Sequence, residues 1–186
     1  MFHAGMDSDE ALYARVRAGD MTAFDALYER YAARLYGFLA AELGSGADAE
    51  EVFHEAFLAT LKADGLAFDV SRGGGFRAYL YRAARNRAHN HRRGRARLAR
   101  LTASLPTPDS PRRPDDALAD EQRADALDRA VLSLPAPLRE IYRLRTSGLS
   151  YEEMAVVHEI PLGTLKSRMH NLVHVLKEEL KPWTAP

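Results

Sequence analysis

The 186-residue chain contains no cysteine, which excludes disulfide bonds and thiolate metal sites. The absence of cysteine also fits a reducing compartment. No apolar stretch approaches the roughly 20 residues that span a bilayer. The segment Met1–Glu10 has neither the basic flank nor the apolar run of a signal peptide. We therefore expect a cytoplasmic protein without membrane insertion.

Charge is balanced overall but unevenly distributed. The chain carries 26 basic and 26 acidic residues, so its formal net charge is zero. Between Arg72 and Arg100, however, there are ten arginines and no aspartate or glutamate, so the remaining residues carry a net charge of −10. This polarity predicts one basic surface suited to phosphate groups and acidic surfaces elsewhere.

Helical periodicity dominates the chain outside one proline-rich segment. Apolar residues recur at three- and four-residue spacing in Phe24–Leu39, Val52–Leu61 and Phe76–Ala84, and again after residue 120. Leu105–Pro114 holds four of the nine prolines, which favours an interdomain linker over an ordered loop within one domain. We predict an all-α protein of two small helical domains joined by a Pro-rich linker. The predicted parts are an N-terminal tail (1–8), a first domain (9–97), the linker (98–119) and a second domain (120–182).

The second domain contains the pattern of a helix-turn-helix. Ser150 to Glu153 has the spacing of a capping box and a turn follows at Glu159-Ile160-Pro161. A longer helix then begins between Pro161 and Thr164 and ends at Pro182. The second helix of such a unit places its first residues at base edges in the major groove. A plain helical hairpin with a solvated polar face is the competing interpretation. The outward residues suited to bases or phosphates are Thr164, Lys166, Ser167, Arg168, His170 and Asn171.

The segment Phe76–Arg97 combines an apolar, aromatic face with a face of cations and amides. Arginine contacts phosphates, asparagine forms paired hydrogen bonds with exposed bases, and aromatic rings stack on bases. An anionic membrane surface and a merely solvated helix are the alternatives. The lack of bulky apolar anchors on the outer face disfavours the first, and the lack of acidic residues disfavours the second. The polar face contains Arg82, Arg85, Asn86, His89, Asn90, Arg92 and Arg93.

Nothing in the sequence indicates catalysis. His170 and His174 form an i, i+4 pair that could bind a metal, but no third ligand is placed nearby in sequence. Gly73-Gly74-Gly75 lacks the lysine and spacing of a phosphate-binding loop, and no nucleophile motif is present. We therefore expect neither an enzyme nor a bound metal or cofactor.

Residues 9–181 together resemble the extracytoplasmic-function sigma factors, the smallest class of bacterial sigma factors. In the first domain the resemblance rests on Ala18-Gly19-Asp20 with Ala23-Phe24, on Ala49-Glu50-Glu51 through Glu55-Ala56-Phe57, and on Phe76–Arg82 with Ala84-Arg85-Asn86. In the second domain it rests on Leu134-Pro135, Arg139, Gly148–Glu153 and Gly163–Arg168. The order and spacing of these motifs, rather than any one of them, make the resemblance specific.

The resemblance implies a promoter-recognition subunit that directs core RNA polymerase to specific promoters and assists their melting. The first domain would bind the clamp helices of the polymerase β′ subunit, and the second would bind the β flap. The resemblance also implies promoter DNA as a ligand, an anti-sigma factor clamped between the domains, and association with the nucleoid. The residues implied for polymerase binding are Glu51, His54 and Glu55. Those implied for the minus-ten element are Phe68, Tyr79 and the polar face given above, with Asn86 on an extruded base. Those implied for the minus-thirty-five element are Arg145 and the outward helix-turn-helix residues given above.

Departures from the family pattern leave a second function open. His54 replaces a usual glutamine, Tyr79 replaces a usual tryptophan, and the turn before Gly148 is one residue short. In the family an Arg-x-Arg normally follows the motif that is Gly163–Arg168 in this chain, and here that place is taken by Asn171-Leu172-Val173. Loss of these two cations favours a sigma-like adaptor, which would bind an anti-sigma factor or polymerase without reading DNA. The arginine-rich segment favours a working sigma factor instead.

Overall fold

The computed structural model describes residues 7–61, 74–101 and 120–184. Within these ranges the chain forms eight α-helices and no strand, which confirms the predicted all-α class. Phe68, most of the N-terminal tail and most of the predicted linker lie outside the described residues. The helices are α1 (Asp9–Arg17), α2 (Met21–Leu43), α3 (Gly46–Leu61), α4 (Gly75–Leu101), α5 (Asp120–Ser133), α6 (Ala136–Thr146), α7 (Tyr151–His158) and α8 (Leu162–Thr184).

Local capping sets where the first helices begin and end. The Ser8 hydroxyl accepts a hydrogen bond from the Ala11 N–H at 3.2 Å and so caps α1. The Asp20 carboxylate caps α2, and hydrogen bonds from Thr22 and Arg15 lower the pKa of Asp20 to about 2. Gly44 ends α2 in the left-handed region, at φ 69°, which glycine adopts without a Cβ clash.

Aromatic side chains fill the space between α2, α3 and α4. The ring centroids of Tyr28 and Phe57 lie 5.0 Å apart, and those of Phe38 and Tyr81 lie 5.5 Å apart. Such tilted pairs stabilise a core by more than their buried area alone. This packing fixes α4, with its arginines, against the first two long helices.

The helix-turn-helix predicted for the second domain is present as α7, a turn and α8. The capping box is formed in both directions, since the Glu153 N–H donates to the Ser150 hydroxyl at 3.2 Å and the Ser150 N–H donates to the Glu153 carboxylate at 2.7 Å. Glu159 turns the chain with φ 54°. Contrary to the sequence prediction, α8 continues through Pro182 to Thr184. Pro182 lies in the last turn of α8, so its missing N–H and the clash of its ring with the preceding turn affect only the end of the helix and not its interior.

The two halves of the chain pack against each other through α4 with α7 and α2 with α6. Leu80 and Tyr81 of α4 belong to the same buried cluster as Met154 and Val157 of α7. At Gly74 the approach is so close that a Cβ would meet the side chain of Val156 at 3.2 Å. The structure therefore shows the two predicted DNA-binding helices in one closed arrangement.

Candidate nucleic-acid interface

The arginine face of α4 is divided between solvent and the second half of the chain. Arg92 and Arg93, near the end of the helix, are exposed as predicted. The prediction that the arginines face outward is wrong for Arg82, which is only 8% exposed. Its Nη1 lies 3.9 Å from the Glu159 carboxylate, because α7 packs over this part of α4.

Glutamates from the second half of the chain pair with the buried part of this face. Arg77 forms a two-pronged ion pair with Glu153, with its Nε at 2.8 Å and its Nη2 at 2.9 Å from the two carboxylate oxygens. Arg77 also donates from Nη1 to the Gly148 carbonyl at 3.2 Å. Glu153 therefore caps α7 and holds α4 at the same time.

Glu140 of α6 joins the halves at a second point. It is 7% exposed, and its Oε1 lies 2.5 Å from Arg85 Nε and 3.4 Å from His89 Nε2. Both partners are residues that the resemblance implies for the minus-ten element. The Glu140 carboxylate thus pairs with two side chains that are expected to contact DNA.

Glu42 of α2 is a carboxylate of the first half of the chain that pairs with an arginine of the second half. Its Oε1 accepts from Arg143 of α6 at 2.8 Å, and its Oε2 lies 3.7 Å from Arg92 Nη1. Sequence reasoning missed the roles of Glu42, Glu140 and Glu159. The residues next to a single glutamate in the sequence do not indicate which arginine it will pair with in the folded protein.

The remaining residues of the predicted minus-ten set lie in different surroundings. Asn86 is half-buried and Asn90 is exposed on the same side of α4. Tyr79 is 5% exposed, with its ring 5.9 Å from Tyr13 and 6.3 Å from Phe76, and burial raises the pKa of Tyr79 to about 12. Tyr79 is therefore a core residue in this arrangement.

The outward face of α8 is open to solvent. Arg168 is the exception, since it is half-buried and faces α4 and α6 across a cleft. Arg145 is exposed but held in place, because its Nη1 donates to the Leu149 carbonyl at 2.9 Å and its guanidinium lies 5.7 Å from the Tyr151 ring centroid. The exposed residues of the predicted minus-thirty-five set on α8 are Thr164, Lys166, Ser167, His170 and Asn171.

The outer face of α3 presents acidic and apolar side chains together. Glu51, His54 and Glu55 are all exposed there, and Leu58 beside them is 53% exposed. A shallow pocket of about 480 Å³ lies where α2 and α3 meet, with His54 and Phe53 in its wall. This surface is suited to another protein rather than to DNA, since it combines apolar area with negative charge.

His158, at the end of α7, is a buried group with an unusual environment. No hydrogen-bond partner for its Nε2 is found among the described residues. Burial, together with the positive charges of Arg85, Arg168 and His89, lowers the pKa of His158 to about 4. The imidazole is therefore neutral at pH 7.

This depressed pKa predicts an acid-sensitive fold. Because the unfolded chain takes up a proton at His158 near pH 6.5 and the native chain only near pH 4, the stability from this group is complete above pH 6.5. It is lost as the pH falls to 4, by on the order of 3 kcal/mol. Urea unfolding in phosphate-free buffer should show this loss in the wild type and a shallower loss in His158→Gln. The exposed control His170→Gln should follow the wild type, and a parallel pH profile for His158→Gln would contradict the assignment.

The described residues include no cluster of three or more metal-ligating side chains. None of the helices described is long and apolar enough to cross a membrane.

Comparison with known proteins gives concordant matches in both halves of the chain. Residues 27–98 match the family model Sigma-70 region 2, and residues 124–172 match the model Sigma-70, region 4. The RNA polymerase sigma-H factor of Pseudomonas aeruginosa is 32% identical, over 95% of this chain and 95% of its own length. The ECF RNA polymerase sigma-E factor of Escherichia coli K12 is 30% identical, over 94% of this chain and 95% of its own.

Two solved structures have a similar fold. The sigma factor RpoE of Bartonella quintana, solved with the anti-sigma factor NepR, matches with a TM-score of 0.65 and 25% identity, over 85% of this chain and 96% of that one. CnrH, solved with the cytosolic domain of CnrY, matches with a TM-score of 0.66 and 23% identity, over 95% and 99% of the two chains.

Proposed function

The chain belongs to the extracytoplasmic-function sigma factors, and we propose that it recognises the two elements of a promoter through α4 and α8. As a sigma factor it directs core RNA polymerase to promoters for transcription initiation. The proposed division is residues 9–97 for the minus-ten domain, 98–119 for the linker and 120–182 for the minus-thirty-five domain. The matched family ranges, 27–98 and 124–172, support this division.

The polar face of α4 is the proposed minus-ten reader. Asn86 lies on the same side of the helix as Arg82 and Asn90, so an extruded base and the neighbouring phosphates would meet amides and guanidinium groups together. If six cations of this helix meet phosphates, the affinity should fall with salt with a log–log slope of roughly −4 to −5. Phe68 is proposed to stack on the extruded base.

The exposed face of α8 is the proposed minus-thirty-five reader. Lys166, Ser167, His170 and Asn171 would meet base edges, and Arg145 would meet a phosphate. The closed arrangement leaves most of this face free. Since Asn171 and Val173 replace two usual arginines, binding here rests more on hydrogen bonds and less on charge.

Protein partners fit the remaining surfaces. The face of α3 with Glu51, His54 and Glu55 is the proposed contact with the polymerase β′ clamp helices, and the second domain is proposed to bind the β flap. An anti-sigma factor bound to both domains is a further proposed partner, supported by the Bartonella quintana complex.

Domain separation is part of the proposed mechanism. Arg77, Arg82 and Arg85 are paired with glutamates of the second half of the chain, so DNA and that half compete for the same face of α4. Binding to polymerase would have to move the second domain off α4 before the minus-ten element could bind. We therefore expect the free protein to bind DNA weakly until it joins polymerase.

The observation that carries the proposal is that one chain presents both an arginine–asparagine helix and an exposed recognition helix in regions that match the two sigma models. Transcription by purified core polymerase from a library of upstream sequences tests it. We expect selected transcripts to share a two-part motif. In the double variant Lys166→Ala/Asn171→Ala, the sequence preference at the upstream element should weaken at least tenfold, because two base contacts are removed. The preference at the minus-ten element should stay unchanged.

Other results would overturn the proposal in different ways. Binding to core polymerase without any selected sequence, across salt concentrations, would replace it with the adaptor function. Failure to bind core polymerase at all, with no inhibitor copurifying, would contradict both.

A further inference from the structure

A large cleft with basic walls lies where α2, α4, α6 and α8 meet. Its volume is about 840 Å³. Both halves of the chain contribute cations to it, so its shape depends on the closed arrangement. The arginines in its walls are Arg85, Arg92, Arg93, Arg139, Arg143 and Arg168.

The positive charge of these walls is only partly neutralised. Two carboxylates, Glu42 and Glu140, line the cleft against six arginines. Each is already shared, Glu42 between Arg143 and Arg92 and Glu140 between Arg85 and His89. With neutral histidines the lining carries a formal charge of +4. Charge of one sign within low-dielectric walls concentrates the field and attracts anions.

Several donors in the cleft are left without acidic partners. Arg93 and Arg168 have no carboxylate within ion-pair distance among the described residues. Arg139 donates from Nη2 to the carbonyls of Leu132 and Leu134, at 2.7 and 2.8 Å, which fixes its guanidinium while its buried Nε has no partner. A guanidinium held in one position in this way is preorganised to bind phosphate through its remaining N–H groups.

His158 gives a second, independent indication of a ligand. Its side chain is about nine-tenths buried, lines the same cleft, and has an Nε2 without a hydrogen-bond partner. A buried polar atom without a partner destabilises a fold unless something occupies the site. An anion in the cleft would place negative charge beside this imidazole and favour its protonated form.

We infer that this cleft binds a small anion with two or more phosphate groups, of the diphosphate or nucleoside polyphosphate class, and that the bound anion holds the two domains together. Several unpaired donors on separate helices match linked phosphates better than one phosphate. Because the anion would contact α4 and the second half of the chain at once, it would oppose their separation. The bound anion would keep α4 from binding DNA, and this regulatory consequence rests on the proposed function.

Titration calorimetry with the full chain and inorganic pyrophosphate tests the inference. We expect pyrophosphate to bind at least tenfold more tightly than orthophosphate. The affinity for pyrophosphate should fall at least tenfold in Arg168→Gln and in Arg139→Gln. Arg95→Gln is the matched control, because Arg95 is an exposed cation of α4 that pairs with Asp48 outside the cleft. Equal loss in Arg95→Gln and Arg168→Gln, or no binding at millimolar pyrophosphate, would overturn the inference.

The difference in proton uptake between the wild type and His158→Gln gives a readout that general charge attraction would not give. Pyrophosphate itself exchanges protons with the buffer near neutral pH, but it does so equally with both proteins. A bound anion raises the pKa of His158, so at pH 6 the wild type should take up more protons on binding than His158→Gln, as measured from the variation of the binding enthalpy with the ionisation enthalpy of the buffer. The unfolding curve of His158→Gln in phosphate-free buffer at pH 7 should stay cooperative. The same buffer dependence in both proteins would contradict a ligand beside His158.

Binding measurements with other ligands distinguish the sources of phosphate. If a short single-stranded oligonucleotide bound and lost affinity in Arg168→Gln, while pyrophosphate did not bind, the cleft would be part of the DNA site and the inference would be wrong. If only an acidic peptide bound, the ligand would be a protein segment, and the inference would be wrong. These measurements need no polymerase, so they remain interpretable even if promoter selection fails.

Discussion

Asn86→Ala should abolish most promoter-dependent transcription while leaving the fold intact. Asn86 is half-buried on α4 and makes no side-chain hydrogen bond to another described residue, so truncation should cost less than about 0.5 kcal/mol of stability. Extruding a base costs a few kcal/mol, and a paired amide contact returns about 1–3 kcal/mol of it. We therefore expect run-off transcription from a selected promoter to fall by about 10- to 100-fold.

A premelted promoter identifies the step at which Asn86 acts. If the amide offsets the cost of extrusion, a template with an unpaired minus-ten region should restore much of the activity of Asn86→Ala. Binding of the variant to core polymerase and its melting temperature should equal those of the wild type. Unchanged transcription on the duplex promoter would refute the role of Asn86.

Glu140→Gln should open the free protein and strengthen its binding to DNA. Glu140 is buried and is the only carboxylate within ion-pair distance of both Arg85 and His89 among the described residues. Removing one partner of a buried ion pair costs about 3–5 kcal/mol, because the other charge is left without compensation. Separation of the domains relieves that cost, so the population should shift toward open molecules. We expect the affinity of free protein for a premelted minus-ten oligonucleotide to rise by about 10- to 100-fold.

The absence of cysteine makes the opening directly measurable. Cysteines introduced at Met21 and Val173, both exposed, would be the only sites for a donor and acceptor dye. Energy transfer between them should fall in Glu140→Gln and stay at the wild-type level in Glu152→Gln, an exposed charge on α7. The buried apolar cluster that α4 and α7 share remains, so opening should be partial. Equal energy transfer and equal DNA affinity in both variants would show that the ion pairs do not hold the domains together.

The features that the sequence predicted correctly are local ones. The capping box depends on residues three positions apart, and the helices depend on spacings of three and four. Each is settled within one or two turns of chain, where only a few neighbours compete. The basic helix and the helix-turn-helix follow from the same short-range rules, which is why both candidate readers of DNA could be located from the sequence.

The sequence by itself therefore determined the helical class, the capping box of α7 and the two surfaces that we propose to bind DNA. Only the tertiary structure decided which arginines those surfaces keep free. Arg85 and Glu140 are 55 residues apart in sequence, and Arg77 and Glu153 are 76 apart. No periodicity connects such positions, because an ion pair between two helices depends on how their apolar faces pack. The burial of Arg82, the pairing of Glu42 and the basic cleft beside His158 all follow from that packing of α4 against the second half of the chain.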